Sequence, residues 1–183
     1  MMHLLALSLV LFVAIFPFGK QGSAALADSF IITSAAISPD SAAVVMTVAE
    51  RSDNEVQYVV VYDIASTEFR KLPAIQDGWV PVDPVYSNDR SQVAVGALCL
   101  HDCSDADDRT RIMAFDLSGE EWRTVVSGQG WQSGPVFLPG DQEILLVRGR
   151  LLDPSFGFRL RVIDPEPAIA SLATGEFRTY SVD

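Results

Sequence analysis

The stretch Ala35-Ala36-Ile37-Ser38-Pro39-Asp40-Ser41, followed by an apolar run over residues 42–48, decides the fold class of this chain. Ser-Pro-Asp fits a tight turn, because the proline ring presets the backbone angle at the second turn position. The aspartate carboxylate accepts hydrogen bonds from nearby amides that lack a strand partner. The run that follows is rich in valine, which suits a pleated strand. The arrangement returns twice. Asp83-Pro84-Val85-Tyr86-Ser87-Asn88-Asp89-Arg90 precedes Val93-Ala94-Val95, and Gly134-Pro135-Val136-Phe137-Leu138-Pro139-Gly140-Asp141 precedes Ile144-Leu145-Leu146-Val147. Matching Asp40 with Asp89 and Asp141 gives a repeat of about 50 residues.

The second half of each copy matches as well. Tyr58-Val59-Val60-Val61-Tyr62-Asp63-Ile64 is echoed by Arg111-Ile112-Met113-Ala114-Phe115-Asp116-Leu117 and by Phe158-Arg159-Leu160-Arg161-Val162-Ile163-Asp164. An aromatic followed by arginine then recurs as Phe69-Arg70, Trp122-Arg123 and Phe177-Arg178. Ser118-Gly119 and Thr174-Gly175 read as hairpin turns in which glycine supplies a positive φ. Each copy therefore predicts four short antiparallel strands, the size and content of a β-propeller blade. No convincing helix follows the N-terminal segment.

These motifs resemble the TolB-type propeller repeat, with its Pro-x-Trp-Ser-Pro-Asp-Gly turn, apolar strand, strand ending in Asp-Leu, and Thr-Gly-Glu with a following arginine. The resemblance covers residues 35–180. It departs at the turn glycine, replaced by Ser41, Arg90 and Gln142. It departs again at the tryptophan, replaced by Ile37, Tyr86 and Phe137, and at Gly140, which reads as an insertion. The expected architecture is all-β: a partial propeller of three four-stranded blades at about residues 30–76, 80–128 and 132–183. Closed propellers use roughly four to eight blades, so three leave two open ends. Pairing of two chains into a six-bladed ring, a stable open arc, and a piece of a longer propeller each resolve this. The expectation is a partial propeller that self-associates or takes a partner. The resemblance implies protein–protein contacts in the cell envelope.

The N-terminus reads as a signal peptide, residues 1–27. Residues 4–16 form an apolar run broken only by Ser8. That is shorter than the roughly 20 residues a membrane span needs. Ala25-Leu26-Ala27 then offers small side chains at the two positions a signal peptidase reads. Met1-Met2-His3 carries no lysine or arginine, which leaves an uncleaved anchor as the alternative. The mature domain, residues 28–183, is expected to be periplasmic or secreted with no stable membrane span. The formal charge of -11 repels phosphate backbones and so argues against a nucleic-acid partner.

Few residues carry recognisable chemistry. Cys99 and Cys103 flank Leu100-His101-Asp102, and export favours their oxidation. In an extended strand, residues at this spacing lie about 13 Å apart at Cα, so a disulfide requires the chain to turn back on itself. So short a loop contributes only about 2 kcal/mol. The rival reading is a metal site including His101, with Asp105, Asp107 and Asp108 as weak further ligands, although neither zinc spacing nor an EF-hand pattern is present. A solvated acidic loop tip is the simpler account of those carboxylates. Trp79 and Trp131, each preceded by glycine, are candidates either to bind a partner or to seal the space between blades. Gly130-Trp131-Gln132-Ser133-Gly134 lacks the spacing of a nucleophile elbow, and no phosphate-binding loop is present. No cofactor is expected. The expected function is an exported, non-catalytic protein-interaction module whose partner is an envelope or secreted protein, or a second copy of itself. The alternative is a ligand-binding or hydrolytic propeller whose site lies in a channel completed by a dimer or a partner segment. Mass spectrometry of exported protein, alkylated with and without reductant, should find Cys99 and Cys103 paired; two alkylated thiols without reductant would exclude the disulfide.

Overall fold

The computed structural model describes residues 30–51, 56–100, 109–128, 130–151 and 162–179. The signal segment lies outside them. The described residues form three four-stranded antiparallel sheets and no helix. Blade one contains β1 (Phe30–Ile37), β2 (Ala43–Glu50), β3 (Gln57–Asp63) and β4 (Phe69–Lys71). Blade two contains β5 (Trp79–Tyr86), β6 (Gln92–Cys99), β7 (Thr110–Asp116) and β8 (Trp122–Val126). Blade three contains β9 (Trp131–Phe137), β10 (Glu143–Leu151), β11 (Val162–Ser171) and β12 (Phe177–Thr179). In each blade the strands pair in chain order, each antiparallel to the next. β5 packs on β1 on one side and on β9 on the other, which stacks the three sheets as an arc about their first strands.

Two cores hold the arc together. Between blades one and two lie Val45, Val59 and Leu72 with Tyr86, Val93, Val95, Met113 and Phe115. Between blades two and three lie Ala94, Ile112, Ala114 and Val126 with Phe137, Ile144, Leu146 and Ala170. Blade two is therefore covered on both faces. This accounts for residues 93–97 being buried without alternation, where a sheet wet on one side alternates apolar and polar residues. Phe115 is fully buried, and transfer of such a ring from water is worth about 2–3 kcal/mol.

The Ser-Pro-Asp turn is the same length in all three copies. The amides of Ser38, Ser87 and Leu138 bond the carbonyls of Ala43, Gln92 and Glu143. The amides of Ser41, Arg90 and Asp141 bond back to the carbonyls of Ser38, Ser87 and Leu138. Ser41, Arg90 and Asp141 share a left-handed backbone, with φ of 61°, 66° and 54°. This corrects the sequence reading. Gly140 is no insertion, and Asp141 rather than Gln142 stands where Ser41 and Arg90 stand. Gly140 takes the place of Asp40 and Asp89.

Two further expectations change. Ser171, not Asp164, ends the third strand of blade three, because the amides of Ile64, Leu117 and Leu172 make equivalent bonds to Ala42, Ser91 and Gln142. Pro165 and Pro167 inside β11, with a register break between Arg148 and Arg150 opposite, hid that strand's pattern. Gly175 has the expected positive φ of 69°, and a Cβ there would sit 2.5 Å from the Val125 carbonyl oxygen of blade two. Gly119 has no positive φ; there the Asp116 carboxylate builds the turn by accepting from the Ser118 amide and hydroxyl.

A non-glycine residue in the left-handed region costs about 1–2 kcal/mol, and glycine gives back part of the gain through its freer unfolded state. Ser41 is exposed, so Ser41→Gly should stabilise the chain by about 0.5–1 kcal/mol in urea unfolding.

Candidate interaction surface

Cross-strand registers place one row of side chains on the same face of every blade, here called the front. In blade two the row is Tyr86, Val93, Phe115 and Trp122. In blade three it is Phe137, Ile144, Ala170 and Phe177. Both rows press against the back of the preceding blade: Phe115 and Ile144 are fully buried, and Trp122 and Phe177 at the row ends half-buried. Burial pushes the Tyr86 phenol up to about 12.

The matching row in blade one is Ile37, Val44, Tyr62 and Phe69. Its aromatic pair has the same construction, with ring centroids 4.6 Å apart for Tyr62 and Phe69 and 5.1 Å for Phe115 and Trp122. Its burial differs. Ile37 is 59% exposed, Phe69 39%, and Ile32, which shares this face with Val48 and Tyr58, 61%. Lys71 extends the face, its ammonium 3.0 Å from the centroid of the Tyr58 ring.

The back faces carry a second conserved geometry. In blade one Ala36, Val45, Val61 and Arg70 stand in register, and in blade two Val85, Ala94, Ala114 and Arg123. The two arginines reach across to the following blade. Arg70 Nη1 donates to the Leu117 carbonyl at 2.8 Å, and Arg123 Nη1 donates to the Leu172 carbonyl at 2.8 Å. The turns add a polar rim. Arg90 pairs with Asp40 across the first seam, and the Asp141 carboxylate accepts from the Asn88 and Asp89 amides across the second. The Trp122 indole N–H also donates to the Pro73 carbonyl.

Of the residues singled out from sequence, Trp79 and Trp131 are half-buried at the starts of β5 and β9. Trp79 packs on the first core with the Arg111 guanidinium 4.3 Å from its ring centroid, and Trp131 donates its indole N–H to Ser133. Each is the first residue of the first strand of its blade. Cys99 is buried at the end of β6, opposite Trp79. Cys103, His101, Asp105, Asp107 and Asp108 lie outside the described residues. Among the described residues no three His, Cys, Asp or Glu side chains gather to hold a metal. An open cleft of about 380 Å³ lies between blades two and three, lined by Gln92, Arg123, Asp141 and Gln142. Its Arg123 and Asp141 are already committed to inter-blade bonds.

The exposed front of blade one is what sequence reading missed. The signal was Ile37, Tyr86 and Phe137 at one position of the repeat: apolar in all three copies, with a blade in front of it in only two.

Comparison with solved structures agrees with this architecture. TolB from Acinetobacter baumannii superposes with a TM-score of 0.57 at 14% identity, over 84% of this chain and 33% of that one. The three sheets have the TolB-type propeller fold. Oligogalacturonate lyase from Vibrio parahaemolyticus matches at a TM-score of 0.58 and 12% identity, over 82% of this chain and 40% of that one. A prolyl endopeptidase matches at 0.56 and 16%, over 82% of this chain and 22% of that one. At such identities the likeness is one of fold, and the fold serves lyases and peptidases as well as TolB. The chain spans less than half the length of each of these structures. No protein-family model matches, and no curated protein matches.

The turn carboxylates give the blades an acid limit. Asp40, Asp63, Asp89 and Asp116 all lie below the usual carboxylate value of 3.8, held there mainly by serine hydroxyls and by backbone amides in their own turns. A folded-state value below the unfolded one contributes stability above the unfolded pKa and loses it as pH falls through the folded pKa. The thermal midpoint should therefore fall as pH drops below 3.8. Asp63→Asn, Asp89→Asn and Asp116→Asn combined should flatten that acid limb, read by thermal melts across the acid range.

Proposed function

We propose that this chain is an exported, non-catalytic protein-interaction module that docks another protein against the front of blade one. One observation carries the reading: Ile37 and Phe69 at the two ends of the blade-one row are exposed and Val44 and Tyr62 between them half-buried, while Tyr86, Val93 and Phe115 in blade two and Phe137, Ile144 and Ala170 in blade three are buried under a neighbouring blade. Aromatic and aliphatic side chains on a pleated face give a partner a large apolar anchor with little rotamer freedom to lose. An apolar patch of this kind marks an interaction site rather than an inert surface. Trp79 and Trp131, half-buried at the starts of β5 and β9, are proposed as secondary contacts.

The proposed location is the periplasm or the extracellular space, from the N-terminal segment and the likeness to TolB blades. A Cys99–Cys103 disulfide belongs to the same proposal. That no cysteine is free among the described residues supports it. A second reading, ligand binding or hydrolysis, draws on the lyase and the peptidase that share the fold and on the cleft between blades two and three. The commitment of Arg123 and Asp141 to structural bonds favours the first reading.

A photo-cross-linking residue at Ile32 or Ile37, exposed to envelope extract of the source cells, should yield protein adducts, whereas one at Ser118 on a turn should not. Absence of adducts from the blade-one face, together with turnover of a peptide or oligogalacturonate substrate, would overturn the reading in favour of the second.

A further inference from the structure

We propose that the partner seated on the front of blade one is blade three of a second copy, so that two chains close one six-bladed ring. The proposal rests on reading that face as an interaction surface, and it names the occupant from the rule that builds both seams inside the chain.

The rule has three parts. The front row of one blade lies on the back of the preceding blade. The preceding blade's arginine donates through Nη1 to the carbonyl that follows the third strand of the next blade, as Arg70 does to Leu117 and Arg123 to Leu172. In the second seam the arginine is steadied from its own blade, where Arg123 Nη2 donates to the Gln92 side chain at 3.0 Å.

Blade three presents this set ready to donate. Its back row is Val136, Leu145, Ile169 and Arg178, in register with the back rows of blades one and two. Val136 is 50% exposed and Val147, on the same face, 41%, while Leu145 between them is half-buried and Ile169 is buried. Glu143 occupies the place of Gln92 and receives Arg178 Nη2 at 2.7 Å. Arg178 Nη1 has no acceptor among the described residues, whereas Arg123 Nη1 has the Leu172 carbonyl.

Blade one presents the complement. Ile64 stands where Leu117 and Leu172 stand, its amide making the equivalent bond to Ala42. Its carbonyl receives no donor among the described residues.

Each seam joins unlike faces, blade three on blade one, and a two-fold axis between the chains makes the two seams equivalent. Two arcs of three blades fall within the roughly four to eight blades that form a ring, and both open faces are then covered. Each ring contains two identical seams, with Arg178 of either chain donating to Ile64 of the other.

Sedimentation velocity of the purified full chain should show a concentration-dependent dimer. Loss of one charge-assisted hydrogen bond weakens a contact about tenfold or more, so Arg178→Ala should raise the dimer dissociation constant by about that factor for each of the two seams. Arg178→Ala and Ile37→Asp both alter exposed side chains, so the melting temperature of the monomer should change little. A photo-cross-linker at Ile37 in purified protein should join two chains, with the adduct mapped to Val136, Leu145 or Val147. A monodisperse monomer at the highest soluble concentration, a dimer insensitive to both variants, or an adduct elsewhere on the chain would overturn the pairing. An Ile37 adduct formed only with a different protein would overturn it too, yet leave the blade-one face standing as an interaction surface. No adduct of any kind would overturn both readings.

Discussion

The structure depends on one contact made twice: the large side chains of a blade's front row lying on the back of the blade before it. An isolated four-stranded sheet exposes both faces to water and lacks a core of its own. Stacking removes Tyr86, Val93 and Phe115 from water at the first seam and Phe137, Ile144 and Leu146 at the second. Blade two, covered on both sides, is the most buried part of the arc. Blades one and three each gain only half of that protection.

The seam has a direction. Aromatic rows face one way and arginines reach the other, so each blade has a donor face and an acceptor face. The hydrogen bonds from Arg70 and Arg123 contribute modest energy, but they fix how far and at what angle one sheet rests on the next. The Asp40–Arg90 pair and the Asp141 contacts do the same at the turn rim. Directional stacking is what makes an open arc functionally informative. Its two described ends are unlike, an aromatic front at one and an arginine-bearing back at the other, and the proposed pairing uses that difference. This is the link from packing to the proposed docking of a partner.

Much of this was legible in the sequence. The threefold repeat, the four strands per copy and the aromatic-arginine pair all appear at regular spacing, because each is a local device acting within a few residues. The misreadings were local as well. Asp141 was matched with Asp40 by residue type, although backbone geometry pairs it with Ser41, whose φ of 61° it shares. Asp164 was taken as the end of a strand that the prolines of β11 disguise, when Ser171 ends it. Gly119 was assigned a positive φ that the Asp116 carboxylate makes unnecessary.

The sequence by itself determined the all-β class and the repeating blade, since valine-rich runs and Ser-Pro-Asp turns specify strands and returns without reference to the rest of the chain. Only the tertiary structure decided which apolar residues are core and which are surface. Ile37, Tyr86 and Phe137 are equivalent in the repeat, and nothing local distinguishes them. Burial is a property of what lies opposite. Tyr86 and Phe137 face the back of a neighbouring blade, and Ile37 faces solvent. The same holds for Arg70, Arg123 and Arg178: each follows an aromatic residue, yet Arg70 and Arg123 donate to a carbonyl of the next blade and Arg178, among the described residues, to Glu143. Exposure of the blade-one front is therefore a consequence of position in the arc, which contacts across more than 40 residues create and no single motif records.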